Sequence, residues 1–183
     1  MITELISVGT EILLGNIVNT NSAYLSEKCA ELGLSVYYQT VVGDNETRMR
    51  ETIQTALDRS DIVILTGGLG PTEDDLTKKV TAEVMGMKLV EDRHSRKLME
   101  AYLEQYKKNN PQRKITANNY KQAMVPKGAI VLDNHNGTWN RIHAKCKDTL
   151  NNFYCSKLSI NIFVLQYIIF FTFSFLFNGL TSF

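Results

Sequence analysis

The run IVILTGGLGPTEDDLT, Ile62 to Thr77, constrains the chain more than any other stretch. Ile62 to Thr66 are apolar or β-branched without alternation, the pattern of a strand buried on both faces inside a parallel sheet. Gly67, Gly68 and Gly70 then break the strand; they remove Cβ atoms that would hold a ligand away from the backbone, and they permit left-handed turns. Pro71 cannot extend a strand. Thr72, with Asp75 three positions on, forms a variant capping box, and Leu76, Val80 and Val84 supply the apolar stripe of a helix expected to follow.

Strand, glycine loop and helix N-terminus together predict an anion site, with N–H groups and the positive helix end turned toward the loop. Phosphate is the natural guest. Glu73, Asp74 and Asp75 would repel a bare phosphate, so the local chemistry points to phosphate with Mg²⁺ or another hard divalent cation between the charges. No Lys follows the last glycine as in a Walker A loop, and Glu73 breaks the G-x-G-x-x-G spacing. The same residues are also compatible with a capped glycine turn that stabilises the fold and binds nothing.

The flanking chain repeats the strand and helix theme. Leu5 to Val8 reads as a strand ending in the polar turn Gly9-Thr10-Glu11, with Leu14 to Asn16 continuing the loop. Asn19 or Asn21 can cap a helix that buries Leu25, Cys29 and Leu32 and stops at Gly33. Ser35 to Val42 reads as a largely covered strand leading to Gly43-Asp44-Asn45, and Met49, Ile53, Ala56 and Leu57 recur at helical spacing behind an Asn45 cap. This alternation predicts a mainly parallel sheet covered on both faces, with ligands beyond the carboxyl ends of its strands. Three loops should meet there: Gly9 to Glu11, Gly43 to Asn45 and Gly67 to Asp75. Further on, Lys88 to Val90 reads as a short edge strand, and from Asp92 a helix carries Leu98, Met99, Tyr102, Leu103 and Tyr106 on its apolar side. Thr116 to Ala123 reads as a brief helix, Pro126-Lys127-Gly128 as a turn and Ala129 to Leu132 as a strand running to His135 and Gly137-Thr138.

The net charge of +1 on 183 residues gives no electrostatic footprint for nucleic acid, so no nucleic-acid partner is expected. Cys29, Cys146 and Cys155 contain no C-x-x-C, and His143 with Cys146 is a single H-x-x-C pair, so neither a zinc site nor a disulfide framework is indicated. The start of the chain reads as strand and not as a secretory signal, and a cytoplasmic location is expected.

Four ordered stretches, SVGTEILLGNIVNTN, VVGDN, ILTGGLGPTEDDLT and ITANNYKQAMVPKGAIVLDNHNGT, resemble the N-terminal domain of the CinA (competence/damage-inducible protein A) family, itself similar to molybdopterin-binding domains of molybdenum cofactor biosynthesis. The resemblance runs from about Thr3 to Thr138. It implies a three-layer α/β/α fold with a mainly parallel, mixed sheet, and a homo-oligomer in the intact family. Activity resembling a metal-dependent ADP-ribose pyrophosphatase, or binding of a pterin phosphate, is implied with it, so the partner expected is a nucleotide sugar or a pterin phosphate. Carried over by motif, Asp44 and Asp75 are the expected catalytic carboxylates; with Asp74 they would hold Mg²⁺ while water attacks the pyrophosphate. Gly67, Gly68, Gly70 and Thr72 would cradle phosphate, Thr10 and Glu11 would line the far wall, and Gly137 with Thr138 would complete the rim. On the residues alone, Asp44 also fits a helix-capping turn.

After Thr138 the family pattern of Ala-Pro-Gly, a strand and a proline-rich segment gives way to Trp139-Asn140-Arg141-Ile142-His143. All eight Phe lie at or beyond Phe153, and no charged residue follows Lys157. Residues 1–138 are therefore expected to form the CinA-like domain, incomplete at its C-terminal end, and residues 139–183 a divergent apolar tail, out of frame or chimeric. The alternative is membrane anchoring through Ile160 to Phe177, 18 uncharged residues interrupted by Asn161, Gln166, Thr172 and Ser174. Loss of the C-terminal half of the site would impair activity, and open sheet edges would lower solubility. The amide-hydrolase domain of longer family members has no counterpart in the matched stretch, and its activity is not expected.

Overall fold

A computed structural model describes residues 1–70, 72, 75–112 and 117–132, together with the backbone of 141–145 and 152–155. Strand β1 (Ile2–Val8) is followed by a single-turn helix α1 (Thr10–Leu13), helix α2 (Thr20–Glu31), strand β2 (Ser35–Val42), helix α3 (Glu46–Arg59) and strand β3 (Ile62–Thr66). Helix α4 (Thr77–Val84), strand β4 (Leu89–Glu91) and helix α5 (Arg93–Asn109) come next. A 3₁₀ segment (Ala117–Ala123) leads into strands β5 (Met124–Pro126), β6 (Ile130–Leu132), β7 (Arg141–Lys145) and β8 (Asn152–Cys155).

Six strands form one sheet in the order β2-β1-β3-β8-β7-β6. The β2-β1-β3-β8 part is parallel, and β7 and β6 add antiparallel. The fold is therefore α/β with a mixed, mainly parallel sheet, as the alternation of strands and helices implies. Period-2 alternation sends the side chains of β1 and β3 into two separate cores. Ile6, Val8, Val63 and Leu65 pack with Met49, Ile53, Ala56 and Leu57 of α3 and Val80 of α4. Leu5, Ile62 and Ile64 pack with Leu25 and Cys29 of α2. Helices thus cover both faces, giving three layers. Cys29 is a core residue; burial pushes its thiol up to about 11, which leaves it unreactive near neutral pH.

Several local expectations are corrected. Ser35–Val42 is a strand but is not largely covered: β2 is the outer strand, with Tyr37 and Tyr38 exposed and a register shift against β1 between Thr3 and Glu4 that leaves Tyr37 outside the pairing. The turn expected at Thr10 is the helix α1. Helix α4 begins only at Thr77, so Thr72 does not cap it; Asp75 instead closes a turn by accepting from the Thr72 N–H at 2.9 Å and from its hydroxyl. Leu89–Glu91 pairs antiparallel with Met124–Pro126 as a separate ribbon. On α5, Met99 and Leu103 are buried while Leu98 and Tyr102 are exposed; Tyr102 stacks on Tyr106 along the outer side. The boundary expected at residue 138, His135 and the apolar run 160–177 lie outside the described residues. Among those described, no helix is long and apolar enough to cross a membrane.

One charge is sealed inside this frame. Glu4 of β1 is fully buried and accepts from Arg59 Nε at 2.9 Å, Arg59 Nη2 at 2.7 Å, Thr40 at 2.9 Å and Ser60 at 3.2 Å. Arg59, whose guanidinium also lies over the Tyr38 ring at 3.9 Å, ties the end of α3 to the first strand. Removing one partner of such a pair costs more than the pair contributes, because the other charge stays buried. Arg59→Ala should therefore lower the urea midpoint markedly, and Glu4→Gln added to it should recover part of the loss. Equal midpoints for wild type and Arg59→Ala would contradict this role.

Candidate functional site

The parallel register aligns the carboxyl ends of three strands: Val8 is opposite Val42, and Ser7 is opposite Thr66. Each strand leaves the sheet through a glycine, Gly9, Gly43 and Gly67. All three are closely approached. A Cβ at Gly43 would lie 3.1 Å from Thr10 Oγ1, and one at Gly9 would lie 2.7 Å from a Glu11 carboxylate oxygen. Gly67 and Gly68 have φ of 96° and 59°, the left-handed region that glycine enters without cost. A Cβ at Gly67 would collide with the Val8 carbonyl, and one at Gly68 with the Thr77 hydroxyl.

Thr77 fixes the loop from its far side. Its hydroxyl donates to Gly67 O at 2.9 Å and its N–H to Gly68 O at 3.2 Å. The first N–H of α4 is thus spent on the loop and not offered to a ligand, a correction to the expected helix-end contribution. The N–H groups of Gly68, Leu69 and Gly70 donate to no described residue. Successive amides with no partner among the described residues favour an anion. Behind the loop, Lys79 bonds Glu46 at 2.8 Å, and both it and Arg50 of α3 bridge to Glu83, linking α3 to α4. The Lys79 hydrogen bond lowers the Glu46 carboxyl below its ordinary range and raises the lysine above its own.

The three loops enclose a cleft of about 390 Å³ lined by Gly9, Glu11, Asp44, Gly67 to Gly70, Thr72 and Asp75, with Val8, Ile12, Ile17, Asn21 and Thr66 completing its wall. Asp44 and Asp75 are held alike. Oδ2 of Asp44 accepts from Thr10 N–H at 3.0 Å and Thr10 Oγ1 at 2.8 Å, while the Asp44 N–H donates back to Thr10 Oγ1 at 3.1 Å. Oδ2 of Asp75 accepts from the N–H and hydroxyl of Thr72, and this carboxylate occupies the space that a Cβ at Gly70 would need. In both residues Oδ1 has no partner among the described residues.

The residues singled out in the sequence are largely brought together. Glu11, Asp44, Gly67, Gly68, Gly70, Thr72 and Asp75 line one cleft; Thr10 does not line it but anchors Asp44. Asp74, Gly137 and Thr138 lie outside the described residues. Among the described residues, no three His, Cys, Asp or Glu side chains could hold a metal ion together. Hard oxygen donors in small number still suit Mg²⁺, which keeps several waters and is commonly held by one or two carboxylates plus phosphate. Asn21, Ile12 and Ile17 were not anticipated as wall residues. Asn19 takes the α2 cap by accepting from Ser22 N at 3.2 Å, and its amide also donates to Ser7 and Ser22, each at 2.9 Å. Asn21 instead donates to Thr66 Oγ1 at 3.1 Å, at the end of β3.

The chain belongs to the family described as "Probable molybdopterin binding domain", whose model matches residues 4–146. Within that class it is similar to the competence-damage inducible proteins. It is 50% identical over 138 residues to a putative competence-damage inducible protein of Alkaliphilus oremlandii, covering 75% of this chain and 32% of the relative. For the counterpart in Lactiplantibacillus plantarum the identity is 52% over 137 residues, with 75% and 31% covered. The chain thus spans about a third of the length of these curated relatives. Among solved structures, CinA of unknown function from Thermoplasma acidophilum superposes with a TM-score of 0.74 at 28% identity, covering 92% of this chain and 95% of that one. The tungsten cofactor synthesizing protein MoaB from Pyrococcus furiosus shares the fold, with a TM-score of 0.59, 13% identity and 94% of each chain covered.

Gly67→Ala and Gly15→Ala separate backbone strain from collision. Both sites have left-handed φ, so each substitution should cost about 1–2 kcal/mol from the backbone alone. Only Gly67 adds the clash with Val8, since nothing lies within 4 Å of a Cβ at Gly15. Thermal denaturation should show the larger loss for Gly67→Ala; equal losses would mean that the loop does not press on β1.

Proposed function

We propose that this cleft binds the phosphate of a nucleotide sugar or a pterin phosphate together with Mg²⁺ or a similar divalent cation, and that its chemistry is that of a metal-dependent pyrophosphatase of the ADP-ribose type working at a reduced rate. The observation that supports the reading is the meeting, in one cleft, of three undonated loop amides with two carboxylates that each keep one oxygen unpartnered among the described residues. Gly68, Leu69 and Gly70 would hold phosphate oxygens through main-chain N–H groups. Thr10 and Thr72 fix Oδ2 of Asp44 and Asp75 and leave Oδ1 of each as the atom available to a cation. A bound divalent cation would offset the charge of the phosphoryl oxygens during attack by water. The reduced rate follows from the sequence after Thr138, which departs from the family pattern expected to close the site.

A second reading, binding without turnover, is favoured by the sequence after Thr138, which departs from the family pattern expected to close the site. ADP-ribose hydrolysis with and without Mg²⁺ separates the two. Turnover that requires the metal, disappears in Asp75→Asn and leaves the melting temperature unchanged supports the enzyme. Unchanged turnover in Asp75→Asn removes that residue from the mechanism. No turnover, with thermal stabilisation by ADP-ribose or a pterin phosphate, supports the binding module.

A further inference from the structure

A diphosphate carries more negative charge than the side chains of the cleft can meet. Among the described residues lining it there is no Lys, Arg or His, and its charged groups are Glu11, Asp44 and Asp75. The cations lie on the other side of the glycine loop. There a second cleft of about 280 Å³ is lined by Lys78 and Lys79 of α4 and by Lys121 of the 3₁₀ segment, with Leu76, Leu89 and Met124 among its apolar residues. Gly68 to Gly70, Thr72 and Asp75 line both clefts, so the loop is the wall that divides them.

Lys78 and Lys79 stand in the first turn of α4, at the positive end of the helix, where acidic residues stabilise and lysine does the reverse. A break with local preference of this kind marks a position with another use. Lys79 is met by Glu46 and Glu83. The Lys78 ammonium donates to Gln122 O at 2.6 Å and to Met124 O at 3.3 Å; these neutral carbonyls fix its place and leave its charge undiminished. Lys121 is exposed at the same cleft. We infer that the second cleft takes the second phosphoryl group of a diphosphate whose first lies on the loop amides, with the ammonium groups of Lys78 and Lys121 as its contacts. The apolar neighbours lower the local dielectric and strengthen that attraction relative to water. This assignment rests on the phosphate reading, since the loop amides anchor the first phosphate.

Calorimetric titration of the full chain in Mg²⁺ with ADP and with AMP tests it, because the two ligands differ only in the second phosphate. The wild type should bind ADP more tightly than AMP, and added salt should erode that preference. Lys121→Ala, at an exposed position where folding is little affected, should weaken ADP by about tenfold, the scale of one charge-assisted contact, and leave AMP within about twofold. Lys78→Ala should show the same selectivity, and melting curves verify that both variants fold; Lys121→Ala alone decides the matter if the loss of the two carbonyl contacts unfolds Lys78→Ala. Equal wild-type affinities, or ADP and AMP weakening in parallel, would overturn the lysine subsite while preserving the phosphate site. Binding of neither ligand by the wild type would overturn both.

Discussion

The site depends on one close contact, the seat of the Gly67–Gly68 turn against the carbonyl of Val8. Two parallel strands with no side chain between their exits can bring their following loops together, and Gly67 removes that side chain. Thr77 then clamps the turn through its hydroxyl and N–H, so the first residue of α4 sets the path of the loop before it. The next three amides, of Gly68, Leu69 and Gly70, donate to no described residue. The threonine and aspartate pairs Thr10–Asp44 and Thr72–Asp75 work in the same way on the neighbouring loops: in each, one carboxylate oxygen is fixed by a local N–H and hydroxyl. Rigid supports of this kind let a binding group keep its geometry without a ligand.

The sheet beneath supplies that rigidity. Two apolar cores grip β1 and β3 from opposite faces, and the ion pair of the buried Glu4 with the partly exposed Arg59 joins the amino end of the sheet to α3. Stability is thus concentrated at one end and in the middle of the strands, and the cleft-lining loops lie at the other. Loops carried on such a frame can hold polar groups toward solvent without disturbing the packing that orients them.

Much of this was legible in the sequence, for identifiable reasons. The unbroken Ile62 to Thr66 run reads as a central strand because both its faces are buried, and Asn19, Asn45 and Gly33 mark helix ends through their own side-chain or backbone chemistry. The meeting of the three loops follows from parallel strands alone. The exposure of β2 was not legible, since Val36, Tyr38 and Val42 look alike in an outer or an inner strand, and only sheet order decides. Thr72 has the same local signature whether it caps a helix or closes a turn with Asp75. Asn19 and Asn21 are both possible caps by sequence; that Asn19 fills this role, and so leaves Asn21 for the cleft wall, depends on contacts with Ser7 and Thr66 that are distant in sequence.

The central claim is that the three loops act together as a phosphate-binding surface. The most direct measurement is the change in backbone amide chemical shifts when ADP-ribose and Mg²⁺ are added to uniformly ¹⁵N-labelled protein. The largest changes should fall at Gly68, Leu69 and Gly70, with accompanying shifts at Thr10, Asp44 and Thr72. Saturable shifts confined to other regions of the chain, or none at the glycine loop at saturating ligand, would contradict the claim.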